Sequence, residues 1–466
     1  MLAAAPTRRP EEGPPEPEGR RATLPNSSMP GNGPGLAPIL DRWFLPIVAL
    51  LAVAAVVTIY VTRLSFSPLR SDAEAYYVYL PAYLLQHDFH LEHVGRHTFG
   101  LLPIPGTHYM FDHWSIGVAV MLLPFFAVGQ LISVAIGAGT DGYSDPDQFL
   151  VVLAGIVYLL VGLAILRALL RRYFSREVVL GTLVVTVFGT SVFHYAVYDP
   201  GYSHVYSFML VAAMALLVHR WHSGHRATWR VSLLLGLVVG LIALVRLPNL
   251  VIVLLLPLYG LTDRALLRRQ LSRLFAARYR LGLSVLVAAL TFLPQSLVWH
   301  HSTGHWVLNS YQYLADAGAI DLTHPRLIEV LFGQTPQSIL LMAPILGVAI
   351  VGLLWLRARA RPFALACAVT VLVHLYLATC WTVPTYGESF GYRTLVDFMP
   401  LWAFPLASVF SSIKSRSGQF IAITGSAVLV LSTMAQMVHY WEHLIPDRWS
   451  GMTDYLRVLI LPWKIG

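Results

Sequence analysis

Stretches of about 20 consecutive, mostly apolar residues recur along this chain and constrain its fold more than any other feature. A helix needs about 20 such residues to cross the hydrocarbon core of a bilayer. Only 12% of the 466 residues are charged, against about 25% in soluble domains. The runs are continuous and do not alternate, which excludes an outer-membrane barrel. The sequence therefore predicts an all-α polytopic membrane protein and excludes a soluble enzyme, a disordered scaffold and a collagen-like chain.

The apolar segments are the candidates for membrane spans. They are residues 43–62, 115–137, 148–169, 178–197, 203–220, 231–261, 281–299, 337–356, 362–381, 394–412 and 417–438. Two of them are ambiguous. The segment 231–261 is long enough for one tilted span or two short ones, and the sequence RLPN at 246–249 interrupts it. The segment 115–137 contains Pro124 and either spans the bilayer or lies in its outer leaflet.

Clusters of arginine separate the apolar segments and decide between these alternatives. The basic loops are 167–176, 220–230, 263–280, 357–361 and 414–416. Loops rich in Lys and Arg stay on the cytoplasmic side of a membrane. All five loops lie inside only if 115–137 does not cross and 231–261 crosses twice. We therefore predict about 11 transmembrane helices, by this count of spans, with the N-terminus cytoplasmic and the C-terminus outside.

This topology divides the chain into three parts. Residues 1–42 are rich in Pro, Gly, Glu and Arg and are predicted to be a disordered cytoplasmic tail. Residues 43–440 form the transmembrane domain, whose long first exterior loop, 63–147, contains embedded helices including 115–137. Residues 441–466 are predicted to be a short exterior segment.

The net charge of +8, from 32 basic and 24 acidic residues, does not indicate nucleic-acid binding. The basic residues lie in short clusters between apolar runs, where they set topology. The two cysteines, Cys367 and Cys380, are about 20 Å apart along one predicted helix. Because this separation is too large for a disulfide, we expect two buried thiols.

Two carboxylates, Asp72 and Glu74, follow the first predicted span at the outer membrane boundary. Closely spaced carboxylates hold a divalent cation through oxygen ligands, or one of them acts as a general base on a hydroxyl group. The simpler alternative is an acidic cap at the start of a helix, a position that Asp and Glu favour. The spacing alone favours the cap, because such pairs are common.

Two arginines lie at predicted exterior boundaries. Arg246 is in the RLPN turn, where a guanidinium suits bidentate phosphate binding. The alternative is that its side chain only extends to the membrane interface, where water solvates the charge. Arg393 lies in an exterior segment with Glu388 and Tyr392, and Asp397 follows it at a helical spacing that allows the two to pair. Ionisable groups at membrane depth are costly, which makes these residues candidates for function.

The turn at 198–204 supplies Asp199 and His204 as candidates for lining a site or binding an acceptor. A capping aspartate in a Pro-Gly turn is the simpler interpretation. Histidines also cluster between 90 and 97 and between 300 and 305, but no zinc-binding motif accompanies them. His219, His222 and His225 fall in a predicted cytoplasmic basic loop and are expected to be solvated.

Taken together, these motifs resemble the GT-C class of membrane glycosyltransferases, and most closely the bacterial relatives of protein mannosyltransferases and of the lipid A aminoarabinose transferase. Asp72 and Glu74 match the acidic motif that follows the first span of that class. The segment 111–126 resembles its embedded helix, RLPN at 246–249 resembles its Arg-Pro turn, and 390–404 resembles its late Tyr-Arg segment. The resemblance is one of layout, over about residues 43–440.

The resemblance implies transfer of a sugar from a polyprenyl-phosphate donor to an acceptor hydroxyl at the exterior face of a bacterial plasma membrane, with inversion. In that scheme Asp72 is the general base, Glu74 orients the acceptor or helps hold a divalent cation, and Arg246 and Arg393 bind the donor phosphate. The acceptor is a glycan, a lipid or a protein. Alternatives are a multi-pass transporter or lipid flippase, which would place ionisable groups near the bilayer midplane, and a non-catalytic membrane scaffold.

Overall fold

The structure is a computed structural model. It describes residues 36–62, 67–95, 97, 99–104, 106–223, 228–263, 265–310, 319–383, 389–445 and 455–456. Residues 1–35 of the predicted tail, His225, Glu388 and most of the predicted C-terminal segment lie outside this part of the chain.

The described residues are mostly helical, as the sequence predicted. The α-helices are α1 Leu36–Thr62, α2 Asp72–Leu84, α3 Gly117–Ile136, α4 Asp145–Leu170, α5 Arg176–Phe188, α6 Val192–Val197, α7 His204–Ser223, α8 Trp229–Val245, α9 Leu255–Leu258, α10 Ala265–Ala276, α11 Arg278–Thr303, α12 Leu327–Phe332, α13 Ile339–Met342, α14 Ile345–Arg359, α15 Arg361–Thr379, α16 Thr394–Ser412 and α17 Arg416–Trp441. A 3-10 helix at Leu247–Leu254 joins α8 to α9, and β1 Leu101–Pro103 pairs antiparallel with β2 Met110–Asp112.

Within the described residues, eight helices are long and apolar enough to cross a bilayer: α1, α3, α4, α7, α11, α15, α16 and α17. The predicted all-α architecture of an integral membrane protein is confirmed in these helices. The number of crossings stays a prediction, because the other apolar segments of the sequence form helices that are shorter than these eight.

The two ends of the helix bundle differ in charge. Gly155 on α4 packs against Pro200, and Gly162 packs against Phe208 on α7, so these two helices run in the same direction. Both finish near arginines, Arg171 and Arg220 respectively. We name this the basic end. The opposite end carries Asp72, Arg246 and Arg393, and we name it the site end.

The chain reverses direction at the RLPN sequence, as predicted. Helix α8 ends at Val245, Arg246 is extended with φ −152° and ψ 105°, and the 3-10 helix begins at Leu247. Pro248 favours this break because it has no N–H to donate and clashes with a preceding helical turn. After α9 the Tyr259 hydroxyl contacts His219 Nδ1 at 2.8 Å, so the chain has returned to the basic end.

Helix α3 lies at the site end of the bundle and is the predicted embedded helix. Its first residue, Gly117, packs against the backbone of Leu244 at the end of α8, and Gly129 packs against Asp147 at the start of α4. Both neighbours lie at the site end, so α3 does not reach the basic end. Its length and composition would nevertheless suffice for a span, and its embedding in one leaflet stays a prediction.

The boundary predicted for the tail was wrong, because α1 begins at Leu36 and residues 36–42 are helical. The physical reason is Asp41, which is 3% exposed and pairs with arginines from other elements. Its carboxylate lies 2.9 Å from Arg167 and 3.4 Å from Arg176 and also contacts Arg171. A carboxylate bound by three guanidiniums fixes this end of α1.

The basic end also holds two histidines that the sequence predicted to be solvated, and this prediction was wrong. Helix α7 extends to Ser223, so His219 and His222 lie in its last turns. His219 is buried and contacts the hydroxyl groups of Tyr173 and Tyr259, both at 2.8 Å. These contacts attach the residues that follow α4 and α9 to α7. The two cysteines are buried free thiols, as expected.

Candidate active site

Asp72 is the first residue of α2, and the chain enters this helix through a strained residue. Ser71 has φ 51°, in the left-handed region that residues other than glycine seldom adopt. The next helical residue, Ala73, lies directly against Gly201, where a Cβ would overlap it. This close approach places the start of α2 against the turn between α6 and α7. Such strain persists only where the surroundings over-determine it, and it is concentrated at functional sites.

Asp72 forms an ion pair with Arg393, although the two residues are far apart in sequence. The Arg393 Nη1 group donates to Asp72 Oδ2 at 2.8 Å, with side-chain exposures of 14% and 12%. Among the described residues, none donates a hydrogen bond to the other carboxylate oxygen, Oδ1. The Arg393 guanidinium also lies 5.8 Å from the centre of the Tyr202 ring. The predicted base and one predicted phosphate ligand therefore meet in the structure.

The second predicted phosphate ligand, Arg246, belongs to a neighbouring network centred on Asp397. Its Nε atom lies 3.4 Å from Asp397 Oδ2, and Asn249 donates to the same oxygen at 2.8 Å. His204 donates from Nδ1 to Asp397 Oδ1 at 2.8 Å, which leaves its Nε2 atom 3.5 Å from Arg246. Asp397 is fully buried, whereas Arg246 keeps 17% of its side chain exposed.

The Asp72 pair and the Asp397 network are adjacent. Arg246 and Arg393 both interact electrostatically with the His204 ring. The ring of Tyr195 lies 4.8 Å from that of His204, and its hydroxyl group interacts electrostatically with Arg393. Two guanidiniums from distant segments of the chain therefore flank one small region beside Asp72.

A third pair joins Arg70 to Asp199. Arg70 donates from Nη2 to Asp199 Oδ1 at 2.8 Å, and its guanidinium lies 4.2 Å from the centre of the Tyr198 ring. Trp441 donates from Nε1 to His194 Nδ1 at 2.9 Å, so the proton on His194 Nε2 is directed to Asp199 Oδ2, 2.8 Å away. Asp199 is thus held from two sides and ties α17 to the entry of α2.

These partners set the charge of Asp199. Burial alone would raise the pKa of its carboxyl group, but the hydrogen bond from His194 and the charge of Arg70 outweigh burial and lower the pKa to about 2. Asp199 is therefore ionised at neutral pH. Its charge is balanced by Arg70, and it is poorly suited to accept a proton.

His113 lies on the other side of Asp72, in the loop that follows β2. Its Nδ1 atom is 2.9 Å from the carbonyl oxygen of Gly100. Burial lowers the pKa of His113 to about 4, against smaller opposing effects of Gly100 and Asp72. The ring is therefore neutral at pH 7, and it adds no positive charge beside Asp72.

Glu74 points to a different partner from Asp72. Its Oε1 atom lies 3.5 Å from His97 Nδ1, and the His97 ring stacks on that of Tyr143 at 3.7 Å. Within the described residues, no group of three or more His, Cys, Asp or Glu side chains has the geometry to hold a metal ion. The predicted role of Asp72 and Glu74 in holding a divalent cation stays a prediction.

The structure brings together four of the predicted residues, Asp72, Arg246, Arg393 and His204. Asp199 is nearby but serves the Arg70 pair. Tyr392 is buried and donates its hydroxyl hydrogen to the Ala378 carbonyl, which is a packing role. Glu388 lies outside the described residues. The alternative pairing of Arg393 with Asp397 was wrong, because each binds a different partner.

Sequence reasoning missed several polar residues of this region, namely Arg70, His113, His194, Asn249 and Trp441. Arg70 lies two positions before Asp72, and Asn249 ends the RLPN sequence. For these two residues, the signal available in the sequence was their position close to a candidate site residue. Nothing in the spacing of His194 and Trp441 indicates that they meet, because their contact depends on how α17 packs.

An apolar groove begins beside Arg246 and faces outward from the bundle. It has a volume of about 380 Å³ and is lined by residues of the 3-10 helix and α9 between Pro248 and Pro257, and by Leu377 of α15. Pro248, at one end of this open groove, lies two residues after Arg246 in the chain.

No family model and no curated protein matches the chain. Two solved structures of an oligosaccharyltransferase from Archaeoglobus fulgidus are similar to it. The crystal structure of the apo form is 13% identical with a TM-score of 0.48, over 89% of this chain and 57% of that one. The structure of AglB in complex with an inhibitory peptide and a dolichol-phosphate is 11% identical with a TM-score of 0.46, over 90% of this chain and 58% of that one.

The chain thus spans a little over half the length of these archaeal proteins. The predicted resemblance to bacterial relatives of protein mannosyltransferases and of the lipid A aminoarabinose transferase stays a prediction.

Proposed function

We propose that this protein transfers a sugar from a polyprenyl-phosphate donor to an acceptor hydroxyl at the site end of the bundle, with Asp72 as general base. One observation carries the proposal. Asp72, placed by a strained turn, is bound to Arg393 at 2.8 Å, and Arg393 and Arg246 both interact electrostatically with the His204 ring. A carboxylate with two adjacent guanidiniums matches a reaction that removes a proton from a nucleophile and releases a phosphate.

The donor phosphate binds between Arg246 and Arg393 in this proposal. Guanidiniums bind phosphate oxygens through paired hydrogen bonds and stay charged at any physiological pH. The polyprenyl tail extends into the apolar groove that starts at Pro248. Asp397 and Asn249 act on the phosphate only through Arg246, whose orientation they fix, and we class them as positioning residues.

The chemical step is a single displacement at the anomeric carbon. The acceptor oxygen forms a bond to this carbon as the bond to the phosphate oxygen breaks, and the acceptor proton moves to Asp72. The leaving group is the polyprenyl phosphate, whose added negative charge the two arginines stabilise. Removing one such donor costs about 3 kcal/mol of transition-state stabilisation. Attack opposite the leaving group inverts the anomeric centre.

Arrival of the phosphate changes the partner of Arg393. In the structure this guanidinium donates a hydrogen bond to Asp72 Oδ2 and so occupies one oxygen of the carboxylate. A bound phosphate competes for the guanidinium and leaves Asp72 free to accept a proton from the acceptor. Binding of the donor therefore makes both oxygens of the carboxylate available to the acceptor.

The remaining candidates have supporting roles in this proposal. Glu74 orients the acceptor together with His97, and His204 lines the site behind Arg246. The acceptor, a glycan, a lipid or a protein, enters from the exterior of a bacterial plasma membrane, and the basic end faces the cytoplasm. No step of this proposal passes through a divalent cation.

The test uses purified protein in proteoliposomes with a panel of polyprenyl phosphates carrying radiolabelled hexoses or pentoses. An extract of the cell envelope supplies the acceptors, and transfer is followed as movement of the label from the donor lipid to a glycan, lipid or protein of that extract. We expect Asp72→Asn to lower the rate by about 10²–10⁴-fold, the contribution of a positioned general base. Asp321→Asn, which alters an exposed carboxylate elsewhere on the site end, is the matched control and retains the wild-type rate.

Folding of the Asp72→Asn variant is checked by its thermal unfolding and by its retention of the donor. Near-normal transfer by this variant would refute Asp72 as the base. Movement of the labelled lipid between leaflets without release of sugar would indicate a flippase instead.

A further inference from the structure

At the basic end, α10 presents an apolar stripe that no described element covers. Leu267, Leu271 and Phe275 lie on one face, at positions four residues apart. Their side chains are 46%, 54% and 70% exposed. An exposed stripe of three large apolar side chains on a short helix indicates a surface that contacts a protein or a membrane.

The polar side of α10 is strongly basic. Arg268, Arg269 and Arg273 are all exposed. On a helical wheel Arg269 and Arg273 lie opposite the apolar stripe, and Arg268 lies at its edge, beside Phe275. The segment from 263 to 280 contains one acidic residue, Asp263. A helix with this division of charge and hydrophobicity is suited to an interface between water and an anionic lipid surface.

The third side of α10 is attached to the bundle. Gln270 is 5% exposed, and its Nε2 group donates to His222 at 2.8 Å. The same nitrogen lies 3.4 Å from the carbonyl oxygen of Leu256. Because this attachment fixes the rotation of the helix, the apolar stripe and the arginines keep their directions.

The next helix continues this surface into the bilayer. Helix α11 is apolar enough to span the bilayer, and only 6% of its most apolar 18-residue stretch is buried inside the protein. At its start Arg278 lies 5.0 Å from the ring centre of Phe275 and 4.5 Å from that of Tyr279, which is 70% exposed. Aromatic and arginine side chains gather at the headgroup level of membranes.

From these observations we propose that α10 lies along the membrane surface at the basic end, with Leu267, Leu271 and Phe275 inserted among the acyl chains and its arginines bound to anionic lipid headgroups. The partner that covers the apolar stripe is therefore the lipid of the leaflet at the basic end. Charge complementarity favours it over a protein partner, and the stripe is continuous with the lipid-facing surface of α11. The binding of anionic lipid to α10 does not depend on the proposed sugar transfer.

The test places an environment-sensitive fluorophore on the full-length protein in nanodiscs. The label is attached at Leu271→Cys in a background with Cys367→Ala and Cys380→Ala, and Ser272→Cys on the polar face gives the matched control position. Each label is exposed to lipid that carries a spin label near the headgroup, as either phosphatidylglycerol or phosphatidylcholine, and to aqueous iodide.

We expect lipid to quench the label at Leu271→Cys and iodide to quench the label at Ser272→Cys. Spin-labelled phosphatidylglycerol quenches more than phosphatidylcholine. Replacing Arg268, Arg269 and Arg273 with glutamine reduces this preference by up to roughly fivefold per arginine, and replacement with lysine preserves it. A label at 271 that neither lipid quenches would overturn the proposal in favour of a protein partner, and equal quenching by the two lipids would overturn the anionic preference.

Discussion

At the scale of single residues, the site end contains three carboxylates that are each bound by one arginine. Asp72 pairs with Arg393, Asp199 with Arg70, and Asp397 with Arg246. Charge balance of this kind lets ionised groups remain in a largely apolar environment. The pairs differ in exposure, and Arg246 and Arg393 are the two that the proposed donor would engage.

We predict that Arg246→Gln and Arg393→Gln each weaken binding of a polyprenyl phosphate. A hydrogen bond to a charged group contributes about 1.5–3 kcal/mol, so we expect the dissociation constant to rise by about tenfold or more. The measurement is a binding titration with the protein in nanodiscs. Arg416→Gln, at an exposed position of the basic end, is the control, and an effect of equal size there would argue against a specific phosphate site.

A second prediction concerns Asp199. We expect Asp199→Asn to lower the free energy of unfolding by about 1–3 kcal/mol, because the ion pair between Asp199 and Arg70 is lost. The estimate is at the low end for such pairs, since Arg70 is 35% exposed. Thermal unfolding in detergent measures the change.

The same variant has a defined pH dependence. The pKa of Asp199 is lowered from its ordinary value of 3.8 to about 2 in the folded protein. Its contribution to stability is therefore complete above the ordinary value and is lost as the pH falls through about 2. The difference in stability between wild type and Asp199→Asn should be constant at neutral pH and shrink below pH 4. A difference that grows on acidification would contradict this assignment.

The sequence predicted single residues of the site better than it predicted their partners. Asp72, Arg246 and Arg393 were identified because charged groups are costly at membrane boundaries. Their pairing was not predictable, since Asp72 and Arg393 come from elements at opposite ends of the chain. The helical spacing of Arg393 and Asp397 suggested a local pair, but the fold gives each a partner from elsewhere.

At the scale of elements, close helix contacts depend on glycines. Gly352 on α14 packs directly against the carbonyl group of Pro405 on α16, so a Cβ there would overlap backbone atoms. We predict that Gly352→Ala lowers stability by about 1–3 kcal/mol, the usual effect of overpacking. Thermal unfolding provides the measurement.

Gly425 on α17 supplies the matched control. It lies on an exposed part of its helix, with open space where a Cβ would be. Gly425→Ala should leave the unfolding temperature unchanged or raise it slightly, because alanine favours helix over glycine by about 1 kcal/mol. Equal losses for the two variants would show that the α14 contact has no special role.

Elements were predictable where a local signal marks their ends. Pro248 marks the end of α8, and the predicted reversal there is observed. The interruption between α5 and α6 at 189–191 was not predicted, because the segment 178–197 is apolar throughout and its hydropathy predicts a single span. The start of α1 was also missed, since the ion pairs of Asp41 involve arginines more than a hundred positions later.

At the scale of the whole molecule, the charges of the two ends indicate an orientation. The arginine-rich loops meet at the basic end, and the positive-inside rule places that end in the cytoplasm. We predict that a reagent that cannot cross membranes labels His305→Cys in intact cells and labels Lys414→Cys only after permeabilisation. Both positions are exposed. The reverse pattern would place the candidate site in the cytoplasm and remove the basis for an exterior acceptor.

The all-α class and the division into a site end and a basic end followed from hydropathy and charge. Their arrangement into a site did not, because it depends on contacts among α2, α7, α8 and α16 that no local pattern specifies. The placement of α3 at the site end shows the same limit, since its composition alone permits a full span.

The central claim is that Asp72 removes a proton from an acceptor during transfer of a lipid-linked sugar. The most direct measurement is mass analysis of envelope glycans and lipids from cells with wild-type protein, without it, and with Asp72→Asn at equal abundance. We predict that the last two lack the same saccharide and accumulate its polyprenyl-phosphate donor. Cells carrying Asp72→Asn with the glycans and lipids of the wild type would contradict the claim.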